Sequence, residues 1–134
     1  MTQWETIIKP VPGLAILSIG DRSMFYEIGQ MTEKYHGVWH HYDDSDHLQL
    51  KSRSYEYAIV ETRILDNSKK AGTMKEIYHS LENSALILLL SPHRLGENDY
   101  DILEQCGFVA INSWNDGDYC VMCAKKMHMW GQGL

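Results

Sequence analysis

Long apolar runs, cysteines and basic charge are all scarce in this chain, and each scarcity excludes something. The longest unbroken apolar stretch is residues 85–90, far short of the roughly 18 residues that a membrane-crossing helix needs. The opening MTQWETIIKP also lacks the form of a signal peptide, so the expected location is cytoplasmic, with no membrane partner. Three cysteines, an odd number, point to reduced thiols rather than a disulfide framework. Basic residues number 12 against 18 acidic, a net charge of −6. The pairs Lys69-Lys70 and Lys125-Lys126 are too short to track a phosphate backbone, so the expected partner is a small molecule or a protein and not a nucleic acid.

What is present is enough for one core. At 134 residues and 44% hydrophobic, residues 1–134 read as a single domain without repeats or low-complexity segments. The stretch LAILSIGD (residues 14–21) organises the rest: an apolar run without polar alternation suits a central parallel strand, and it ends in a glycine and an acid. The residues before it, broken by Pro10, Pro12 and Gly13, form a short lead-in with Trp4, Ile7 and Ile8 available for packing. After it, Met24, Ile28, Met31 and Tyr35 recur at helical spacing, with Asp21 placed to cap the first turn.

The chain continues in the same alternation. VWHHY (38–42) reads as a second strand, an acidic loop follows at 43–46, and YEYAIVETRIL (55–65) gives another strand centred on Ala58, Ile59 and Val60. Thr73 and Glu76 match a capping box for a helix with Met74, Ile77, Tyr78 and Leu81 as its buried stripe. ALILLLS (85–91) is a buried strand stopped by Pro92, and a helix spans about 98–106 with Asn98 as cap and Gly107 just past its end. Strands at 108–114 and 118–126 flank Asn115-Asp116-Gly117 as a hairpin. The order predicts an α/β three-layer sandwich, with a mostly parallel sheet closed by one antiparallel edge strand.

Three clusters carry potential chemistry. His36, His40, His41, Asp43, Asp44, Asp46 and His47 are the densest group of metal-ligating types, but strand alternation sends His40 and His41 to opposite faces, and no metal is expected. Cys120 and Cys123 have the spacing of a redox pair yet lie in a strand, where that spacing separates them; with Cys106 they read as core thiols. Ser91, His93 and Arg94, like Trp114, Asn115 and Asp116, follow parallel strands and fall at the carboxyl edge, where open α/β sheets bind ligands.

Four stretches together resemble the class I S-adenosylmethionine-dependent methyltransferases: LAILSIGD, DDSDHLQLKSRSYEYAIVE, EIYHSLENSALILLLS, and LEQCGFVAINSW with DYCVMCAKK. The resemblance runs over about residues 14–126 and implies a Rossmann-like methyltransferase fold with S-adenosylmethionine as cofactor. It implies that Gly20 and Asp21 stand in the glycine loop, Asp44 near the adenine amino group, Leu48 and Leu50 in the apolar floor of the cofactor site, and Glu61 with Thr62 among the cofactor-binding residues after the catalytic-side strand. If the chain transfers methyl groups to an acidic nucleophile, His93, Glu61 and Asp116 are the candidate bases.

The departures from the family are specific. Its glycine loop usually has several glycines so that backbone meets the methionine part of the cofactor, whereas Gly20 is followed by Asp21, Arg22 and Ser23. Only one strand and no helix fit between Tyr35 and Tyr55, so a strand-helix unit is missing, and the acid that holds the ribose has no counterpart. A carboxylate hydrogen bond is worth roughly 1.5–3 kcal/mol, so its lack weakens binding on the order of ten- to a hundredfold. Two readings follow: a trimmed methyltransferase with weak or absent activity, or a cofactor-free binding or assembly module on the same fold. The apolar tail Met127, Met129 and Trp130, and a sheet short of an edge unit, add the expectation of a homodimer.

Overall fold

The computed structural model describes residues 3–65 and 68–127. Its six strands are β1 (Ala15–Ile19), β2 (Val38–Tyr42), β3 (Tyr55–Glu61), β4 (Leu81–Ser91), β5 (Phe108–Asp116) and β6 (Tyr119–Lys126). They form one sheet in the order β2-β1-β3-β4-β6-β5. The helices are α1 (Tyr26–Lys34), α2 (Lys70–Ser80) and α3 (Glu97–Cys106). The expected α/β sandwich is the observed one, with β1 paired in parallel to β2 and β3, and β3 in parallel to β4.

The antiparallel strand lies elsewhere than expected. β6 pairs antiparallel with both β4 and β5, so it is inserted one place inside the sheet and β5 forms the edge. The hairpin returns β6 between its two neighbours because Val121 and Ala124, fully buried, belong to the two apolar layers on opposite faces of the sheet. At the other edge β2 pairs only with β1, and the chain passes from β2 to β3 without an intervening helix.

Each face of the sheet has its own core. α2 and α3 contribute Met74, Ile77, Tyr78 and Leu103 to one, beneath Leu17, Ala58, Val60 and Leu89. On the other, Phe25 and Ile28 join Trp4 and Ile8 over Ile16, Ile59 and Leu88. The lead-in is therefore a cover and not a loose end: Trp4 is 2% exposed and its ring meets Phe25 edge-on at 6.4 Å. No helix among the described residues is long and apolar enough to cross a membrane.

Several local expectations shift by a few residues. Thr73 does not cap α2, which starts three residues earlier at Lys70; the Thr73 side chain is buried within the helix instead. The Lys70 ammonium reaches the Asp99 carboxylate at 2.9 Å, tying the start of α2 to α3. In α3 the N-cap is Gly96 and not Asn98, and Asp99 reaches back to accept from the Gly96 amide at 3.3 Å. β4 begins at Leu81, directly after α2, and Ser84 takes φ +69 near its start, where the pairing with β3 is irregular. The predicted helix after β1 opens as a 3-10 turn at Arg22–Phe25, capped by Asp21 as expected, and Gly107 ends α3 in the left-handed conformation. Of the apolar tail, Met127 is exposed, while Met129 and Trp130 lie outside the described residues.

Two helical glycines predict opposite outcomes. A Cβ on Gly29 of α1 would stand 2.2 Å from the Trp39 ring, whereas one on Gly72 of α2 would meet nothing within 4 Å. Gly29→Ala is expected to destabilise the fold by about 1–3 kcal/mol through overpacking. Gly72→Ala is expected to stabilise it by about 0.5–1 kcal/mol through helix propensity. Urea unfolding midpoints check both.

Candidate active site

The carboxyl ends of β1 and β3 meet at Gly20. Its amide donates to the Tyr42 carbonyl at 2.9 Å, at the end of β2. Its φ of +142° is a conformation that side chains rarely adopt, and its bare α-carbon faces Glu61. A Cβ there would lie 2.6 Å from the Glu61 Cβ, 2.8 Å from Glu61 Oε1 and 3.2 Å from the Phe25 ring. The Glu61 carboxyl is fully buried; its Oε1 accepts from the Asp21 amide at 3.0 Å, while its Oε2 has no aligned hydrogen bond and faces the half-exposed Arg63 guanidinium as an ion pair.

The next residues are engaged locally. Asp21 Oδ1 accepts from the Ser23 amide at 3.1 Å and the Ser23 hydroxyl at 2.9 Å. Those two bonds, the amide first, hold the Asp21 carboxyl below the usual carboxylate range, with the charges of Arg63 and His41 acting in the same direction. Arg22 lies over the Trp39 ring, 5.0 Å from its centroid. Thr62 donates to the Leu90 carbonyl at 3.3 Å and opens a 3-10 turn.

The histidines of β2 divide between the two faces of the sheet, as strand alternation requires. His41 is held in a chain: Trp39 Nε1 donates to Ser18 Oγ at 2.8 Å, Ser18 Oγ lies 2.7 Å from His41 Nδ1, and His41 Nε2 lies 3.1 Å from Asp43. Ser18 is fully buried, so this chain braces the end of the strand and offers no nucleophile to solvent. His40 Nδ1 lies 2.5 Å from the Tyr55 hydroxyl. Among the described residues no three His, Cys, Asp or Glu side chains converge as a metal site. All three cysteines are free, and burial pushes the thiols of Cys106 and Cys123 up, away from reactive thiolate.

The structure thus brings Gly20, Asp21, Glu61 and Thr62 together and separates the remaining candidates. Asp44 is exposed on the loop after β2, where its Oδ1 accepts from the Asp46 amide at 3.0 Å; Leu48 and Leu50 pack against the core. Asp116, a candidate base by position, is buried and accepts the Trp4 amide at 2.6 Å, clamping the lead-in to the hairpin. His93 is exposed; its amide donates to Ser91 Oγ at 3.1 Å, and it lines a cavity of about 620 Å³ between the loop after β4 and the hairpin. Sequence reasoning missed the Trp4–Asp116 clamp and the seating of Glu61 on Gly20, and no local signal encodes either.

Among solved structures the chain is similar to an S-adenosylmethionine-dependent methyltransferase from Mesorhizobium loti, with a TM-score of 0.66 at 12% identity, over 91% of this chain and 95% of that one. A similar enzyme from Aquifex aeolicus gives 0.66 at 10% identity, over 92% and 89%. Phosphoethanolamine N-methyltransferase 2 from Haemonchus contortus, in complex with S-adenosyl-L-methionine, gives 0.62 at 12% identity over 93% of this chain and 51% of that one. No family model matches the chain, and no curated protein does. The fold is accordingly the one these methyltransferases share.

Two side chains of this region make measurable predictions. Asp116→Ala leaves the buried Trp4 amide without its acceptor, an expected loss of about 1–3 kcal/mol seen in the urea midpoint and in red-shifted tryptophan emission; Asp116→Asn, which keeps an acceptor, is expected to lose less. Burial, with a smaller effect of Tyr42, pushes the Tyr55 phenol up to about 12 from its ordinary 10.0. A phenol kept neutral by the fold contributes its full stability below pH 10 and loses it as pH rises toward about 12. Tyr55→Phe is expected to flatten the decline of stability between those values.

Proposed function

We propose that this chain is a binding or assembly module that keeps the methyltransferase fold without using S-adenosylmethionine. The carrying observation is the seating of Glu61 on Gly20. The family that the chain resembles lets backbone meet the methionine part of the cofactor at this turn; here the bare α-carbon of Gly20 faces the Glu61 carboxyl, which takes up the Asp21 amide. The amides of Gly20, Asp21, Ser23 and Met24 all donate within the protein. The residues present do not fit a ligand that must meet open backbone at this turn, and no catalytic step is derived through one.

The second reading, a methyltransferase of unassigned substrate, is favoured by the likeness to enzymes such as the one solved with S-adenosyl-L-methionine. In that reading Asp44, Leu48, Glu61 and Thr62 would line the cofactor, and His93 is the candidate base not already engaged with a buried protein group. Titration of the cofactor separates the two. A site with a dissociation constant of about 10 μM would gain about 2.7 kcal/mol at about 1 mM S-adenosylmethionine and raise the melting midpoint by several degrees. The expected shift is below about 2 °C; a clear rise that disappears in Asp44→Ala would establish the enzyme reading instead.

Assembly is part of the first reading. β2 and β5 each end the sheet with one side unpaired among the described residues, and open edges invite strand pairing. A homodimer mass by light scattering at tens of micromolar is the expected result, and a monomer mass would remove self-association from the proposal.

A further inference from the structure

The cavity beside the hairpin is built differently from the closed turn at Gly20. Its floor is the end of the β4–β6 ladder, where Ser91 pairs with Cys120. One wall is the loop that follows β4, carrying His93 and Arg94, and the other is the hairpin with Trp114, Asn115, Asp118 and Tyr119. At about 620 Å³ it falls within the range of roughly 300–1,000 Å³ typical of small-molecule sites.

The side chains there are chemically uneven. Arg22, Arg63, Lys70 and Lys126 are engaged by a ring, a carboxylate, a carboxylate and the Leu81 carbonyl respectively. The Arg94 guanidinium and the His93 ring have no protein partner among the described residues. The Arg94 guanidinium, on the wall across from Asp118, is a point of positive charge in a chain of net charge −6, and a guanidinium binds carboxylate or phosphate through two parallel hydrogen bonds. Trp114 and Tyr119 are half-buried, packed on the core beneath and lining the cavity, so they supply fixed aromatic surface for a planar ring. On the hairpin side the Asp118 carboxylate repels an anion and accepts from a donor, which orients the ligand.

We propose that this cavity binds a small planar aromatic molecule with a carboxylate or phosphate at one end and a hydrogen-bond donor at the other. The anionic end is held by Arg94 and His93, the ring lies against Trp114 and Tyr119, and the donor faces Asp118. The proposal deepens the binding-module reading and rests on it, because it gives that module its ligand class.

Two probes carry this chemistry from different sources: 4-hydroxybenzoate, a carboxylate with a phenol, and adenosine 5′-monophosphate, a phosphate with an exocyclic amine. Each is titrated into the full chain by calorimetry up to about 5 mM, and the expected result is saturable binding of at least one with a dissociation constant below about 1 mM. Binding of the first alone assigns a carboxylate ligand, and of the second alone a nucleotide. Arg94→Gln, at an exposed position outside both cores, is expected to weaken binding at least about tenfold, and Lys34→Gln, on α1, to leave it unchanged. No saturation by either probe, or equal affinity in Arg94→Gln, would overturn the proposal. S-adenosylmethionine run in parallel reports separately on the module reading, since its binding would overturn that reading while the probes still decide the cavity.

Discussion

The buried carboxylate of Glu61 constrains the whole carboxyl edge of the sheet. An ionised group in an apolar layer is costly unless it is paired and hydrogen-bonded, and Glu61 finds its partners in the Asp21 amide and the Arg63 guanidinium. That pairing requires β1 and β3 to be adjacent and in register, with Ile19 opposite Val60. It also requires a residue without a side chain at position 20. With the turn so held, Asp21 is in place to cap the 3-10 turn that leads into α1, and Phe25 is brought against Trp4 and His41. One electrostatic requirement thus fixes the turn, the start of the helix and the packing of the lead-in.

A second contact, the Trp4 amide on Asp116, helps to keep the sheet covered. Only a loop joins β2 to β3, so fewer helices are available to shield the two faces. The lead-in takes over part of that task, burying Trp4 and Ile8 against the α1 side and fastening its backbone to Asp116. Asp116 was a plausible base by its position after a parallel strand. Buried and accepting a backbone amide, it clamps the lead-in to the hairpin.

Sharing a fold with methyltransferases does not confer their reaction, because a reaction depends on particular groups at a particular edge. In this molecule the amides of the first turn are taken up by protein groups, while His93, Arg94, Trp114 and Tyr119 line a cavity at the hairpin end of the same sheet. The scaffold supplies a carboxyl edge in both places. Side-chain identity decides which part of it remains available to a ligand.

The sequence by itself determined the order and type of the main elements, strands β1 to β6 and helices α1, α2 and α3. Apolar runs and helical spacing are local patterns, and Asp21 and Gly107 act on their own helix ends. It also placed His40 and His41 on opposite faces, since alternation is a property of any strand. Helix and strand starts were less legible: Thr73 and Asn98 have capping chemistry, yet the ion pair between Lys70 and Asp99 and the reach of Asp99 to Gly96 favour earlier starts. Only the tertiary structure decided that β6 lies inside the sheet, that Glu61 fills the space at Gly20, and that Asp116 holds Trp4 across 112 residues of sequence. Those outcomes depend on which distant groups become neighbours when both faces of the sheet are buried, and no residue carries that information in its local pattern.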